Sequence, residues 1–284
     1  MNTPLHTADG LPLFVQHWPA SAPDAGPSRG TVLIVHGLGE HVMRYAHVAK
    51  FLNDAGWNAV GYDHRGHGRS GGAKGVLNGG DDFVVDLAAV LDAVRAQYAG
   101  PIVLLGHSLG GVIAGRFVAE SLEASPATWS RPVDALVMSS PAIDIGMNAA
   151  QRMMLSVAEP LAPNLAVNNG LNPSWVSRDP AVVKAYKDDP LVHDRVTPKI
   201  VRFILDSGAK VLEKAPAWKT PTLLVYAGSD KCVSPKGSKD FAAAAPRNVV
   251  TTREFTSLFH EIFNEPEQGE VLAVVGSWLA TRTH

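Results

Sequence analysis

Short apolar runs alternate with longer stretches in which apolar positions recur every three or four residues. The runs 31–35 (Thr-Val-Leu-Ile-Val), 57–63, 101–105, 133–138, 222–226 and 249–255 read as strands; the β-branched, nearly all-apolar ones suit positions buried on both faces. Between them, helical spacing predicts helices. Tyr45, Val48, Ala49 and Leu52 share one face near 43–55, and Phe83, Leu87, Val90, Leu91 and Val94 share one near 81–98. Further helices are expected at 111–120, 235–245 and 266–281. Ahead of this series, 3–18 reads as a hairpin turning at Asp9-Gly10, and 19–30 as a surface loop rich in Ala, Pro, Ser and Gly.

The alternation stops from about 142 to 217. No convincing β run lies there, only helical patches near 147–159 and 198–214, with joints at Pro160, Pro163, Pro173, Pro180 and Pro190. The pattern predicts a doubly wound α/β core, 1–141 and 218–284, interrupted by a helical insertion at 142–217. An insertion between two strands of such a sheet stands over their C-terminal ends, where ligands bind. It is therefore expected to be a cap or lid.

Composition adds mainly exclusions. At 284 residues, 46 % hydrophobic and 18 % charged, the chain can bury a sizeable core. A net charge of −2 leaves no footprint for nucleic acid. No apolar run approaches the roughly 18 residues of a membrane span, and the first residues lack the pattern of a secretory signal. Cys232 is the single cysteine, so no internal disulfide can form, which fits a reducing cytoplasm.

Chemistry concentrates at Gly106-His107-Ser108-Leu109-Gly110, between the 101–105 strand and the 111–120 helix. G-x-S-x-G at a strand-to-helix turn is a nucleophile elbow: small residues two before and two after the serine allow a tight turn that exposes its hydroxyl. Serine needs a base, and the base needs a carboxylate to fix its tautomer. On this architecture the order is Ser, acid, His. Three histidines follow Ser108: His193 in the insertion, His260 after the last strand and His284 at the end of the sequence. His260 stands where the base belongs. Asp230, just past the 222–226 strand, is the candidate acid; Asp240 lies on the next helix, and Asp194 and Asp206 lie in the insertion. The oxyanion needs N–H donors. Leu109, after the nucleophile, is one candidate, and Leu38, in the loop after the 31–35 strand, is the other. The pairs His36/His41 and His64/His67 lack a completing ligand set, so they are read as loop residues bracing the site rather than as a metal centre.

These residues together resemble the monoacylglycerol lipase/lysophospholipase branch of the α/β-hydrolases. The resemblance rests on His36-Gly37-Leu38-Gly39-Glu40-His41 with Arg44-Tyr45, on 63–70 (Asp-His-Arg-Gly-His-Gly-Arg-Ser), on 106–111, on Gly228-Ser229-Asp230, and on His260-Glu261 with Asn264-Glu265. It spans about 5–282. It implies a mostly parallel sheet flanked by helices, a Ser108–Asp230–His260 triad, an oxyanion hole at Leu38 and Leu109, and an apolar cap over a tunnel for one acyl chain. No cofactor and no metal are expected. The expected activity is hydrolysis of a carboxylic ester through an acyl-enzyme, on a monoacylglycerol or similar small lipid ester. Alternatives are a carboxylesterase, lysophospholipase or peptidase acting on another small substrate, or a catalytically silent receptor on the same fold. Met147, Met153, Met154, Leu155, Val157 and Leu161 either pack the cap on the core, line the tunnel or face a lipid surface. The location expected is cytoplasmic, with transient contact of the cap at a membrane.

Overall fold

A run buried on both faces must pair on both edges, and the apolar runs do so in one sheet. The computed structural model describes residues 5–20 and 28–282. In chain order the elements are β1 (Leu5–His6), β2 (Pro12–Leu13), β3 (Val15–Trp18), β4 (Thr31–Val35), α1 (Ala46–Asp54), β5 (Asn58–Tyr62), α2 (Asp82–Gln97), β6 (Ile102–His107), α3 (Leu109–Glu120) and β7 (Ala135–Ser139). The insertion carries α4 (Ala149–Leu161), β8 (Val167–Asn168), α5 (Pro180–Asp188), β9 (Arg195–Val196) and α6 (Pro198–Lys214). The chain then completes the sheet with β10 (Thr222–Ala227), α7 (Pro235–Ala244), β11 (Val250–Phe255) and α8 (Gln268–Ala280).

The sheet has seven strands in the order β11-β10-β7-β6-β4-β5-β3. All pairs are parallel except β3 with β5. This is the α/β-hydrolase arrangement that the resemblance implied. Alternation along each strand divides the core. Leu33, Val35, Leu104, Leu136 and Leu224 pack with residues of α2, α3, α6 and α7. Val32, Ile34, Val103, Leu105 and Val225 pack with residues of α1 and α8. The chain leaves β4 by α1 on one face and β6 by α3 on the other, although the two strands are neighbours. Helices departing to opposite faces open a crevice at the carboxyl ends of β4 and β6.

Two regions depart from the sequence expectation. The second strand of the hairpin is split: β2 pairs with β1, whereas β3 joins the main sheet beside β5. Between them the Phe14 N–H donates to Ser70 Oγ at 2.9 Å instead of a strand partner. Residues 3 and 4 of that hairpin, and 21–27 of the loop after it, lie outside the described residues. The insertion holds a two-residue antiparallel ladder, Val167 opposite Val196, where no strand was expected. It also holds α5, where the sequence pattern predicts only a proline joint. Asp179 Oδ1 accepts the Ala181 N–H at 2.8 Å, and Pro180 fills the first helical position, where its missing donor costs nothing. Pro198 starts α6 in the same way behind Thr197. Among the described residues no helix is long and apolar enough to cross a membrane.

Candidate active site

The turn after β6 holds Ser108 at φ 54°, ψ −116°, a region that side chains other than glycine rarely occupy. Sterics force glycine on both sides of it. A Cβ at Gly106 would overlap the Gly110 carbonyl oxygen, and one at Gly110 would overlap that of Val35. The strain is held by bonds to neighbouring segments: the Ser108 N–H donates to Ser139 O at 3.0 Å, and Ser108 O accepts the N–H groups of Val112 (3.1 Å) and Ala142 (3.0 Å).

Ser108 Oγ lies 2.8 Å from His260 Nε2, and His260 Nδ1 lies 2.7 Å from Asp230 Oδ2. Asp230 Oδ1 in turn accepts the N–H groups of Cys232 (2.8 Å) and Val233 (3.0 Å). The tautomer with its proton on Nδ1 satisfies every bond: it donates to Asp230, while Nε2 accepts from Ser108. Burial by itself would lower the His260 pKa, but the Asp230 charge and hydrogen bond outweigh it and hold it above the ordinary value. Burial would raise the Asp230 carboxyl, and His260 with the two backbone donors keeps it below its ordinary value. Loops after β6, β10 and β11 thus bring together the three side chains singled out in the sequence.

The loop after β4 completes the floor. A Cβ on Gly37 would come within 3.3 Å of Ser108 Cβ, so the loop lies directly against the serine. Gly37 spends its own N–H on Glu40 Oε1 at 2.6 Å. Leu38 follows, and Leu109 opens α3, where an N–H has no carbonyl one turn earlier. His36 and His64 hydrogen-bond each other: the His64 N–H donates to His36 Nε2 at 3.0 Å, and the His64 ring reaches His36 O at 2.9 Å. His41 pairs with Asp189 at 2.8 Å, tying the loop to the insertion.

Several residues essential to this architecture carried no assigned role in the sequence. Arg44 joins Glu40 and Glu261, each at 2.7 Å. Glu265, fully buried, accepts Ser177 Oγ at 2.6 Å, the Arg178 N–H at 2.5 Å and the Phe259 N–H at 3.2 Å, so it locks the His260 loop to the insertion. The signal was present as charged residues next to catalytic candidates in the quoted motifs. The other candidate acids pair with other side chains. Asp240 pairs with Lys236, Asp206 with Arg202, and Asp194 with Arg195; His284 lies outside the described residues.

A cavity of about 470 Å³ opens over Ser108 and His260. Its floor includes Leu38 and Glu40, and Leu171, Val176, Tyr186 and Val192 come from the insertion. The α4 residues do not line it. Leu155 is buried, whereas Met153 (70 %), Met154 (67 %), Val157 (56 %) and Leu161 (79 %) are exposed.

Residues 26–267 match the family described as serine aminopeptidase, S33. A monoacylglycerol lipase of Mycolicibacterium smegmatis is 36 % identical over 263 residues, 91 % of this chain and 90 % of that one. A phospholipase of Bacillus subtilis is 30 % identical over 89 % of this chain and 94 % of its own length. The crystal structure of Paleococcus ferrophilus monoacylglycerol lipase superposes with a TM-score of 0.81 at 31 % identity, covering 95 % of this chain and 99 % of that one.

Proposed function

The chain belongs to the monoacylglycerol lipase branch of the α/β-hydrolases and is a lipid ester hydrolase, and we propose that Ser108, His260 and Asp230 carry its reaction on monoacylglycerols or similar lipid monoesters. The observation that carries the assignment of roles is the unbroken chain of 2.8 Å and 2.7 Å contacts from Ser108 Oγ through His260 to Asp230 at the floor of a cavity.

In the proposed mechanism Ser108 Oγ attacks the ester carbonyl while its proton passes to His260 Nε2. Asp230, already ionised, stabilises the imidazolium without taking its proton. The N–H groups of Leu38 and Leu109 receive the negative charge that develops on the carbonyl oxygen. The imidazolium then protonates the departing alcohol, leaving an acyl-enzyme. Water then attacks the acyl-enzyme carbonyl as its proton passes to His260, which returns it to Ser108 Oγ as the acid departs.

Residues 142–217 form the proposed cap between core segments 1–141 and 218–284. Within it α6 packs on α3 with Ile200, Phe203, Ile204 and Val211 buried, which seats that end of the cap on the core. The exposed apolar side chains of α4 support transient seating of the cap on a membrane surface. The proposed location is the cytoplasm, on the strength of the single cysteine.

Hydrolysis of monoacylglycerols of increasing chain length, run beside fluorophosphonate labelling, tests this reading. Labelling at Ser108 with turnover of monoacylglycerol is expected. A folded protein that takes no label would favour a silent receptor, and cleavage of aminoacyl amides in preference to esters would favour a peptidase.

A second reading, a lysophospholipase, is favoured by the cations that line the cavity, Lys74 and Lys187 with Arg195, which suit a headgroup phosphate. Preferred turnover of a lysophospholipid over the matching monoacylglycerol would select it.

A further inference from the structure

We propose that Asp230, Cys232 and His260 form an inhibitory site for a thiophilic divalent cation such as zinc or cadmium. The inference rests on the reading of Ser108 and His260 as nucleophile and base. Among the described residues, this is the one group of three potential ligand side chains that converges, with one donor atom from each within 4.8 Å of the others. Cys232 is half-buried and lines the cavity, so an ion reaches it by the route an ester takes. The Cys232 N–H donates to Asp230 Oδ1 at 2.8 Å, which holds the residue beside the Asp230 carboxylate, whose Oδ2 pairs with His260 Nδ1 at 2.7 Å and would be shared with the ion.

Sulfur, nitrogen and carboxylate oxygen together are a donor set that zinc accepts and magnesium does not. Tetrahedral zinc, with bonds of about 2.0–2.3 Å, asks for donors roughly 3.5 Å apart. The ion therefore draws the sulfur inward and opens the Asp230–His260 contact slightly, with the fourth position facing the cavity for water. The thiol proton is held tightly, by burial and then by the charges of Asp230 and Glu261. Those same carboxylates favour a cation in its place.

The proton accounting explains the inhibition. The thiol proton leaves for solvent as the metal–sulfur bond forms. The proton on Nδ1 must give way to the metal, so the imidazole takes the tautomer protonated on Nε2. One proton is released and nothing is oxidised or reduced. His260 then presents an N–H to Ser108 where it formerly offered a lone pair, and the serine has no base.

The test titrates Zn²⁺ and Cd²⁺ into the purified enzyme. It follows p-nitrophenyl butyrate hydrolysis and, separately, the ultraviolet charge-transfer band of a cadmium–thiolate bond. Zinc and cadmium should inhibit reversibly, chelator should restore the rate, and Mg²⁺ should not inhibit. In Cys232→Ala and Cys232→Ser, each judged against its own metal-free rate, the apparent metal affinity should fall at least about 100-fold. The band should appear in the wild type and in Ser108→Ala, and be lost from both cysteine variants. Equal inhibition of the cysteine variants, or no band from folded wild-type protein, overturns the proposal. If the metal-free enzyme hydrolysed no ester, the catalytic reading would fail while the band still reported on the site.

Discussion

Arg44 and Glu261 meet as a two-pronged ion pair, Nη1 to Oε1 and Nη2 to Oε2 both at 2.7 Å, across 217 residues of sequence. Glu261 adjoins His260, and Nη1 of the same guanidinium reaches Glu40 Oε2 at 2.7 Å. Glu40 in turn holds the Gly37 N–H and the Tyr45 hydroxyl, both at 2.6 Å. One cation therefore fixes the Leu38 loop relative to the His260 loop. Side chains of Arg44, Glu40 and Glu261 are 11 %, 4 % and 6 % exposed, so solvent screens them little. Arg44→Met should cost about 3–5 kcal/mol in urea unfolding, because two buried carboxylates lose their partner. Arg44→Lys should recover only part of this, since an ammonium cannot form the fork. A loss below about 0.5 kcal/mol in Arg44→Met would refute the clamp.

Under the proposed roles, removing Ser108, His260 or Asp230 should act on one common step. Ser108→Ala and Asp230→Asn should each lower kcat by about 10⁴-fold with circular dichroism unchanged. Adding His260→Ala to Ser108→Ala should cost almost nothing more, because the side chains work as a unit. Additive losses in the double variant would show that His260 does not serve Ser108.

The strands, the elbow and the order of candidate residues were legible because each depends on local pattern. Val103, Leu104 and Leu105 read as a strand wherever they sit, and Gly106 and Gly110 announce a turn by their size. The role of Arg44 was not legible, since it is created by a partner 217 residues away. Nor could sequence place the α4 residues. A methionine at helical spacing looks the same whether it faces a tunnel, a core or solvent, and only tertiary packing decides. The helix at 180–188 is a different case, because Asp179-Pro180 is a local start signal that also fits a proline joint.

The pH dependence follows from His260. The proposed base works only when neutral, and its pKa stands above the ordinary 6.5 despite burial, because Asp230 and, next, Glu261 favour the cation. Activity should therefore rise with pH through a midpoint above 6.5 in kcat/KM. Glu261→Gln removes one of those negative charges and should move the midpoint to lower pH. Stability has the opposite sign. The raised pKa favours the folded state below the unfolded value, and that contribution is lost as pH rises through the folded value. His107, tilted against His260 with ring centres 4.8 Å apart, behaves in reverse: burial first, then the His260 charge, push it down to about 4. It should stay neutral while His260 titrates, and it should weaken the fold as pH falls from about 6.5 toward 4. Imidazole NMR titration separates the two. A midpoint below 6.5 for His260 would contradict the Asp230 contribution.

The exposed face of α4 makes the last prediction. Met153, Val157 and Leu161 recur every four residues, Met154 lies beside them, and all face solvent while Leu155 is buried. Such a contiguous apolar patch on an exposed helix suits a lipid surface. Full burial of one side chain of this size is worth about 1.5–3 kcal/mol, so partial insertion of three of them suffices for reversible adsorption. The triple variant Met153→Ser, Val157→Ser, Leu161→Ser should then hydrolyse monoacylglycerol presented in phosphatidylcholine vesicles at least about tenfold more slowly, the equivalent of about 1.4 kcal/mol. None of the three lines the cavity, so its kcat/KM on soluble p-nitrophenyl butyrate should stay within about twofold. Equal loss on both substrates would mean that the patch supports the cap's own structure. Equal retention on both would mean that the enzyme takes its substrate from solution and that α4 meets no membrane.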